Sequence, residues 1–114
     1  MREVLGRTPR FRERVFTESE RAYCEARGAA AAAQHYAARF AAKEAAFKAL
    51  RTGWRDGLSW HHVEVASDDA GAPSLNLTGH ARLLFERLGA THAHLSLSHT
   101  AEHAVAQVLF ERRQ

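Results

Sequence analysis

Glu44 and Lys48 stand four residues apart, the spacing at which two side chains meet on one face of a helix. A carboxylate suits a hard cation such as magnesium, which takes one or two such ligands and fills its shell with water and substrate phosphate. A lysine one turn further on can neutralise phosphate charge. Far downstream, Ser98, His99 and Thr100 bring hydroxyls, an imidazole and backbone N–H groups into one turn. That suits a phosphate, which wants several donors. Glu44, Lys48 and His99 therefore read as a phosphate-transfer site rather than an acyl-transfer one. A Ser–His nucleophile is the weaker reading, because no acid at a recognisable position orients the imidazole and adjacent strand residues point apart. Each feature also has a packing explanation: a surface ion pair for Glu44–Lys48, and Ser and Thr caps for the turn.

The element that must position the first pair is an alanine-rich stretch, residues 29–50, free of Gly and Pro. Alanine has the best helix propensity, so this stretch is predicted to be a helix. At about 100° per residue, Tyr36, Phe40, Phe47 and Leu50 fall on one side, with Lys43 in the middle of the stripe and Glu44 and Lys48 at its edge. For Lys43 the packing explanation is a snorkelling side chain. Gly53 is expected to terminate the helix.

Around it, residues 1–5 read as the tail of a helix ending at Gly6, with Pro9 blocking continuation. Phe11, Val15 and Phe16 are expected to anchor the next segment to the core. Thr17 and Glu20 have capping-box spacing and predict a helix start, with the helix ending near Gly28. After Gly57 the pattern changes. Residues 60–66 and 74–78 alternate as strands around a turn rich in Asp and Gly and closed by Pro73, which predicts a hairpin. Gly79 precedes a short helix carrying Ala81, Leu84, Phe85 and Leu88 and ended by Gly89; residues 92–98 and 103–110 read as two more strands. Helices first and mostly antiparallel strands after them make an α+β layout, with helices packed on a small sheet.

The whole chain sets limits on function. Its 114 residues suffice for one domain with a modest core, and a net charge of only +3 does not imply a nucleic-acid scaffold. The basic–aromatic interleaving expected of an RNA reader is absent. Positive charge is local: Arg7, Arg10, Arg12 and Arg14, a patch that can recruit an acidic partner. Cys24 is the only cysteine, which rules out an internal disulfide and a cysteine zinc site and fits a reducing cytoplasm. No apolar run approaches the roughly 20 residues needed to span a bilayer, and the Arg-rich opening has no signal-peptide core. His92 and His94 share one strand face, but no third metal ligand is evident.

Arg39-Phe-Ala-Ala-Lys-Glu-Ala-Ala-Phe-Lys48, with Leu95-Ser-Leu-Ser-His-Thr100 downstream, resembles the holo-[acyl-carrier-protein] synthases of the 4′-phosphopantetheinyl transferase superfamily. Arg14-Val-Phe-Thr-Glu-Ser-Glu20 is similar to the family's segment between its first two helices, and residues 71–79 to its central hairpin. The resemblance covers essentially the whole chain in order. It implies transfer of phosphopantetheine from coenzyme A to a serine of acyl carrier protein, with release of adenosine 3′,5′-bisphosphate. It implies that Glu44 binds magnesium, that Lys48 lies near the pyrophosphate, and that Lys43 is the first lysine of the motif and a coenzyme contact. Ser98 and His99 would lie near the nucleotide's phosphates, joined by Arg39, and Pro73 beside the adenine. The acidic carrier protein would land on Arg7, Arg10, Arg12 and Arg14. The small synthases form trimers, which implies a homotrimer with sites shared between subunits.

One departure accompanies the resemblance. The family opens with a strand carrying a Gly-x-Asp-Leu-like motif, whose Asp is a second metal ligand. Met1-Arg-Glu-Val-Leu5 resembles the middle of the helix that follows it, and no Asp precedes Asp56. The expectation is a transferase domain over residues 1–114 that is truncated at its N-terminus. A non-catalytic module that still binds coenzyme A or carrier protein is the alternative.

Overall fold

The computed structural model describes residues 9–51, 58–100 and 102–114. Three helices come first: α1 (Pro9–Val15), α2 (Glu18–Glu25) and α3 (Ala29–Ala49). A 3-10 turn (Trp60–His62) leads into strands β1 (Val63–Ser67) and β2 (Pro73–Leu77). Helix α4 (Gly79–Arg87) and strands β3 (His92–His99) and β4 (Ala104–Glu111) complete the chain. The class is α+β, as the order of periodicities predicts.

Helix α3 is the axis of the molecule, and two apolar clusters form at its two ends. Ala32 and Tyr36 pack with Val15, Phe16 and Cys24 near its start. Ala46, Phe47 and Leu50 pack with Leu58, Val63, Leu77, Ala81 and Phe85 near its end. Full burial of a side chain such as Phe16 contributes about 1.5–3 kcal/mol. The half-buried Phe40 bridges the clusters, with its ring 5.8 Å from Phe11 and 5.3 Å from Trp60. The predicted stripe is therefore buried. So are Ala38, Ala42 and Ala46, where methyl groups let neighbouring backbone approach closely.

The α2 start is as predicted. Glu20 N–H donates to Thr17 Oγ1 (3.3 Å), and Thr17 N–H donates back to Glu20 Oε1 (2.9 Å). Pro9 opens α1, where a missing N–H and a fixed φ cost nothing at a first helical turn. Other expectations need correction. Residues 60–62 are a 3-10 turn and not strand, because Ser59 caps them: its Oγ accepts from His61 N–H (3.2 Å) and its N–H donates to His62 Nδ1 (3.2 Å). The strands make two separate antiparallel hairpins, β1–β2 and β3–β4, where one small sheet was expected. The expected helix tail at residues 1–5, its end at Gly6 and the stop at Gly53 lie outside the described residues.

Candidate functional site

The middle of α3 is fixed by a buried ion pair. Lys43 is fully buried, and its ammonium donates to Glu20 Oε1 (2.8 Å) and to the carbonyls of Trp60 (3.0 Å) and Val63. An ammonium has three donors, so all three are matched. Glu20, 1% exposed, also accepts from Val65 N–H at Oε2 (2.8 Å). One carboxylate thus ties α2, α3 and β1 together. Burial pushes the Lys43 pKa down, and Glu20 pulls it back up. Lys43 does not snorkel, and its ammonium points to Glu20 and two backbone carbonyls rather than to an exposed phosphate site. Beside the pair, Glu64 accepts from Thr17 Oγ1 (2.6 Å) and Ser19 Oγ (2.9 Å), and the Thr17 bond holds its carboxyl below the usual value.

Anchoring Lys43 inward turns the next residue outward. Glu44 and Lys48 are both exposed on the outer side of α3. No ion pair joins them to each other or to another described residue, so both charges are available to a ligand. Lys48 lines an open depression of about 500 Å³ with Arg51, Leu88, Leu109 and Arg112.

Nearer the start of α3 a second group gathers. Arg39 is 2% exposed; its Nη2 donates to Ser67 Oγ (3.0 Å), while its Nε is buried with no partner among the described residues. Ser67 faces Pro73 across the β1–β2 ladder, so Arg39 and Pro73 share one neighbour. The Arg39 guanidinium also lies over the Tyr23 ring, 4.0 Å from its centre. Tyr23 meets His35 edge-on at 5.5 Å, and His35 meets His99 edge-on at 5.2 Å. Ser98 and His99 are exposed at the end of β3. The turn after them is capped by Thr100, whose Oγ1 accepts from His103 N–H (3.1 Å).

The structure therefore gathers Arg39, Pro73 and His99 beside the first half of α3 and leaves Glu44 and Lys48 in its second half. At 1.5 Å per residue, His35, whose ring meets that of His99 at 5.2 Å, stands about 13.5 Å before Glu44 along the axis. Of the arginines, Arg7 lies outside the described residues, Arg10 and Arg14 are exposed, and Arg12 is paired with Glu25 (3.1 Å). His92 and His94 turn to Thr91 (2.8 Å) and Glu111 (3.0 Å) respectively. Among the described residues no group of three His, Cys, Asp or Glu could hold a metal ion. Burial pushes the Cys24 thiol up to about 12, so it stays protonated and unreactive. Glu20, Tyr23, His35 and Ser67 were not singled out as site residues by sequence reasoning. Only Glu20 carried a signal, its capping-box spacing.

Residues 1–108 match the model of the 4′-phosphopantetheinyl transferase superfamily. The chain belongs to this superfamily. A holo-[acyl-carrier-protein] synthase of Geobacter metallireducens is 50% identical over 106 residues, covering 93% of this chain and 82% of the relative. One of Trichlorobacter lovleyi is 53% identical over 98 residues, covering 86% and 76%. The crystal structure of the Bacillus anthracis synthase, in complex with CoA (3′,5′-ADP), superposes with a TM-score of 0.77 at 35% identity, covering 97% of this chain and 88% of that one.

Proposed function

We propose that the chain transfers the 4′-phosphopantetheine group of coenzyme A to a serine of apo-acyl carrier protein and releases adenosine 3′,5′-bisphosphate. The observation that carries this reading is the exposed Glu44–Lys48 face, unpaired among the described residues, on a helix of a chain matching the family over nearly its full length. In the reaction the serine oxygen forms a bond to the phosphorus that bears the pantetheine arm. The P–O bond to the bisphosphate breaks, and the serine proton passes to a water or a carboxylate at the site. Lys48 meets the negative charge that grows on the bisphosphate. Arg39, Ser98 and His99 hold the nucleotide phosphates, with Pro73 beside the base. Lys43 serves the site through its position, by turning Glu44 to the surface. A free carboxylate with room for water and phosphate oxygens fits magnesium, and Glu44 would hold the ion. When bound, it supplies a Lewis acid for phosphate charge.

The acidic carrier protein docks on the exposed Arg10 and Arg14, with Arg12 beside them paired to Glu25. Mass spectrometry of apo-carrier protein incubated with the chain, coenzyme A and magnesium tests the activity; a carrier protein without added phosphopantetheine would reject it. In the same assay Arg14→Glu should mainly raise the KM for carrier protein, and salt should mimic it, since charges are screened beyond about 8 Å at physiological ionic strength. Unchanged KM in both would reject electrostatic docking. No helix among the described residues is long and apolar enough to cross a membrane, and the proposed setting is the cytoplasm.

The separation of His99 from Glu44 supports a site shared between copies. Strand β4 lays Val108 and Phe110 inward, while Val105 and Leu109 are 59% and 64% exposed on its outer face. These two exposed side chains, on a face they share with Gln107, Ser96 and Ser98, suit a central contact in a homotrimer, in which Glu44 of one subunit and His99 of its neighbour border one coenzyme A. Glu44→Gln and His99→Ala chains, each inactive, should regain part of their activity when unfolded and refolded together. No recovery, with a monomeric mass in solution, would show that each chain holds a complete site.

A further inference from the structure

Tyr23 is the centre of a cationic cluster that the proposed reaction uses only in part. The Arg27 guanidinium lies over one part of its ring at 3.4 Å and that of Arg39 at 4.0 Å, while His35 meets it edge-on. His99 reaches the same place from β3 through its contact with His35. The carboxylates of α2 closest to this group are engaged elsewhere: Glu20 with Lys43 and Glu25 with Arg12. Cys24, the remaining titratable neighbour on α2, is buried and neutral. Among the described residues neither guanidinium is paired with a carboxylate, and neither imidazole makes a hydrogen bond. Two guanidiniums and two imidazoles without a counter-charge among the described residues, with the buried Nε of Arg39 unpartnered among them, form a place that an anion would neutralise.

We infer that His35 is a second imidazole of the phosphate seat around His99 and Arg39, and that it makes affinity for the phosphomonoester of coenzyme A depend on pH. This rests on the reading of the chain as a coenzyme A-dependent transferase and adds a residue to it. Burial, then His99, Arg39 and Arg27, hold the free His35 below the ordinary imidazole value of about 6.5, so it is neutral at neutral pH. A phosphate beside it favours the imidazolium and raises its pKa. Binding then takes up a proton, and affinity rises as pH falls through the window between the free and bound values. The phosphomonoester itself titrates near about 6 and loses charge in acid. Comparison of two proteins with the same ligand cancels that effect.

Calorimetric titration of the full chain with coenzyme A, as wild type and as His35→Phe, tests the inference. Phe keeps a ring between Tyr23 and His99 and removes the proton. Near about pH 6 the variant should bind roughly tenfold more weakly, the equivalent of one pKa unit. Near about pH 8 the two should agree within about twofold, because His35 is neutral there in both free and bound forms. With 3′-dephospho-coenzyme A the gap should vanish. In labelled wild-type protein the His35 ring resonance should show a raised pKa on addition of coenzyme A, a measurement that needs no variant to fold. Superimposable pH profiles, a gap that persists with the dephospho form, or an unmoved His35 pKa would each overturn the role of His35. Absence of coenzyme A binding by the wild type at both pH values would overturn the transferase reading itself.

Discussion

Glu44→Gln should lower phosphopantetheine transfer by about 10²–10³-fold, the usual effect of removing one preorganised group that stabilises transition-state charge. Gln keeps the size of the side chain and offers a neutral oxygen, so the expected loss is in charge and not in shape. Glu44 is exposed and touches no partner among the described residues, and a surface substitution of this kind changes stability by no more than about 0.5 kcal/mol. Activity and stability should therefore separate. The thermal midpoint stays in place while turnover falls, and excess magnesium recovers part of the turnover if the lost group held the ion. Chelation of magnesium should reduce the wild type toward the level of the variant. Wild-type turnover by Glu44→Gln at saturating magnesium would remove Glu44 from the site.

The sequence announces Glu44 and Lys48 because helical spacing is local information: four residues and a periodicity place both at the edge of an apolar stripe. The Thr17–Glu20 capping box is local as well and was legible to the atom. What lay hidden needs two distant segments. Lys43 stood out as a charge in an aromatic stripe, yet nothing in its neighbourhood identified Glu20 or the carbonyls of Trp60 and Val63 as its partners. Trp60-His61-His62 alternates like a strand and continues into one. The Ser59 cap and the pull of Lys43 on the Trp60 carbonyl decide otherwise, and neither is a matter of periodicity. The separation of the strands into two hairpins is equally non-local. His35 sits in an alanine tract without any motif; only the fold brings it to His99.

Lys43→Met should destabilise the chain by about 3–5 kcal/mol, which is large against a typical stability of 5–15 kcal/mol for a domain. The reason is the charge left behind. Glu20 is buried, and without Lys43 its carboxylate keeps only the N–H donors of Thr17 and Val65. Glu20→Leu should cost a similar amount, since it strands a buried ammonium and also leaves those two N–H groups without an acceptor. The double substitution Glu20→Gln with Lys43→Met removes both charges, and the amide oxygen still accepts one of the N–H bonds. Its cost should therefore fall well short of the sum of Glu20→Gln and Lys43→Met measured alone, with a coupling of about 0.5–3 kcal/mol. Urea unfolding of the four proteins gives that coupling directly. Additive effects, or a Lys43→Met midpoint equal to that of the wild type, would show that the pair does not hold α3. The consequence for function follows from helix geometry. Residues turn by about 100° each, so the inward anchor at Lys43 is what presents Glu44 to solvent. Lys43→Met protein that remains folded should lose turnover through a disordered site while its affinity for coenzyme A, held by Arg39 and His99 nearer the start of α3, changes less. An affinity loss equal to the turnover loss would return Lys43 to direct contact with the coenzyme.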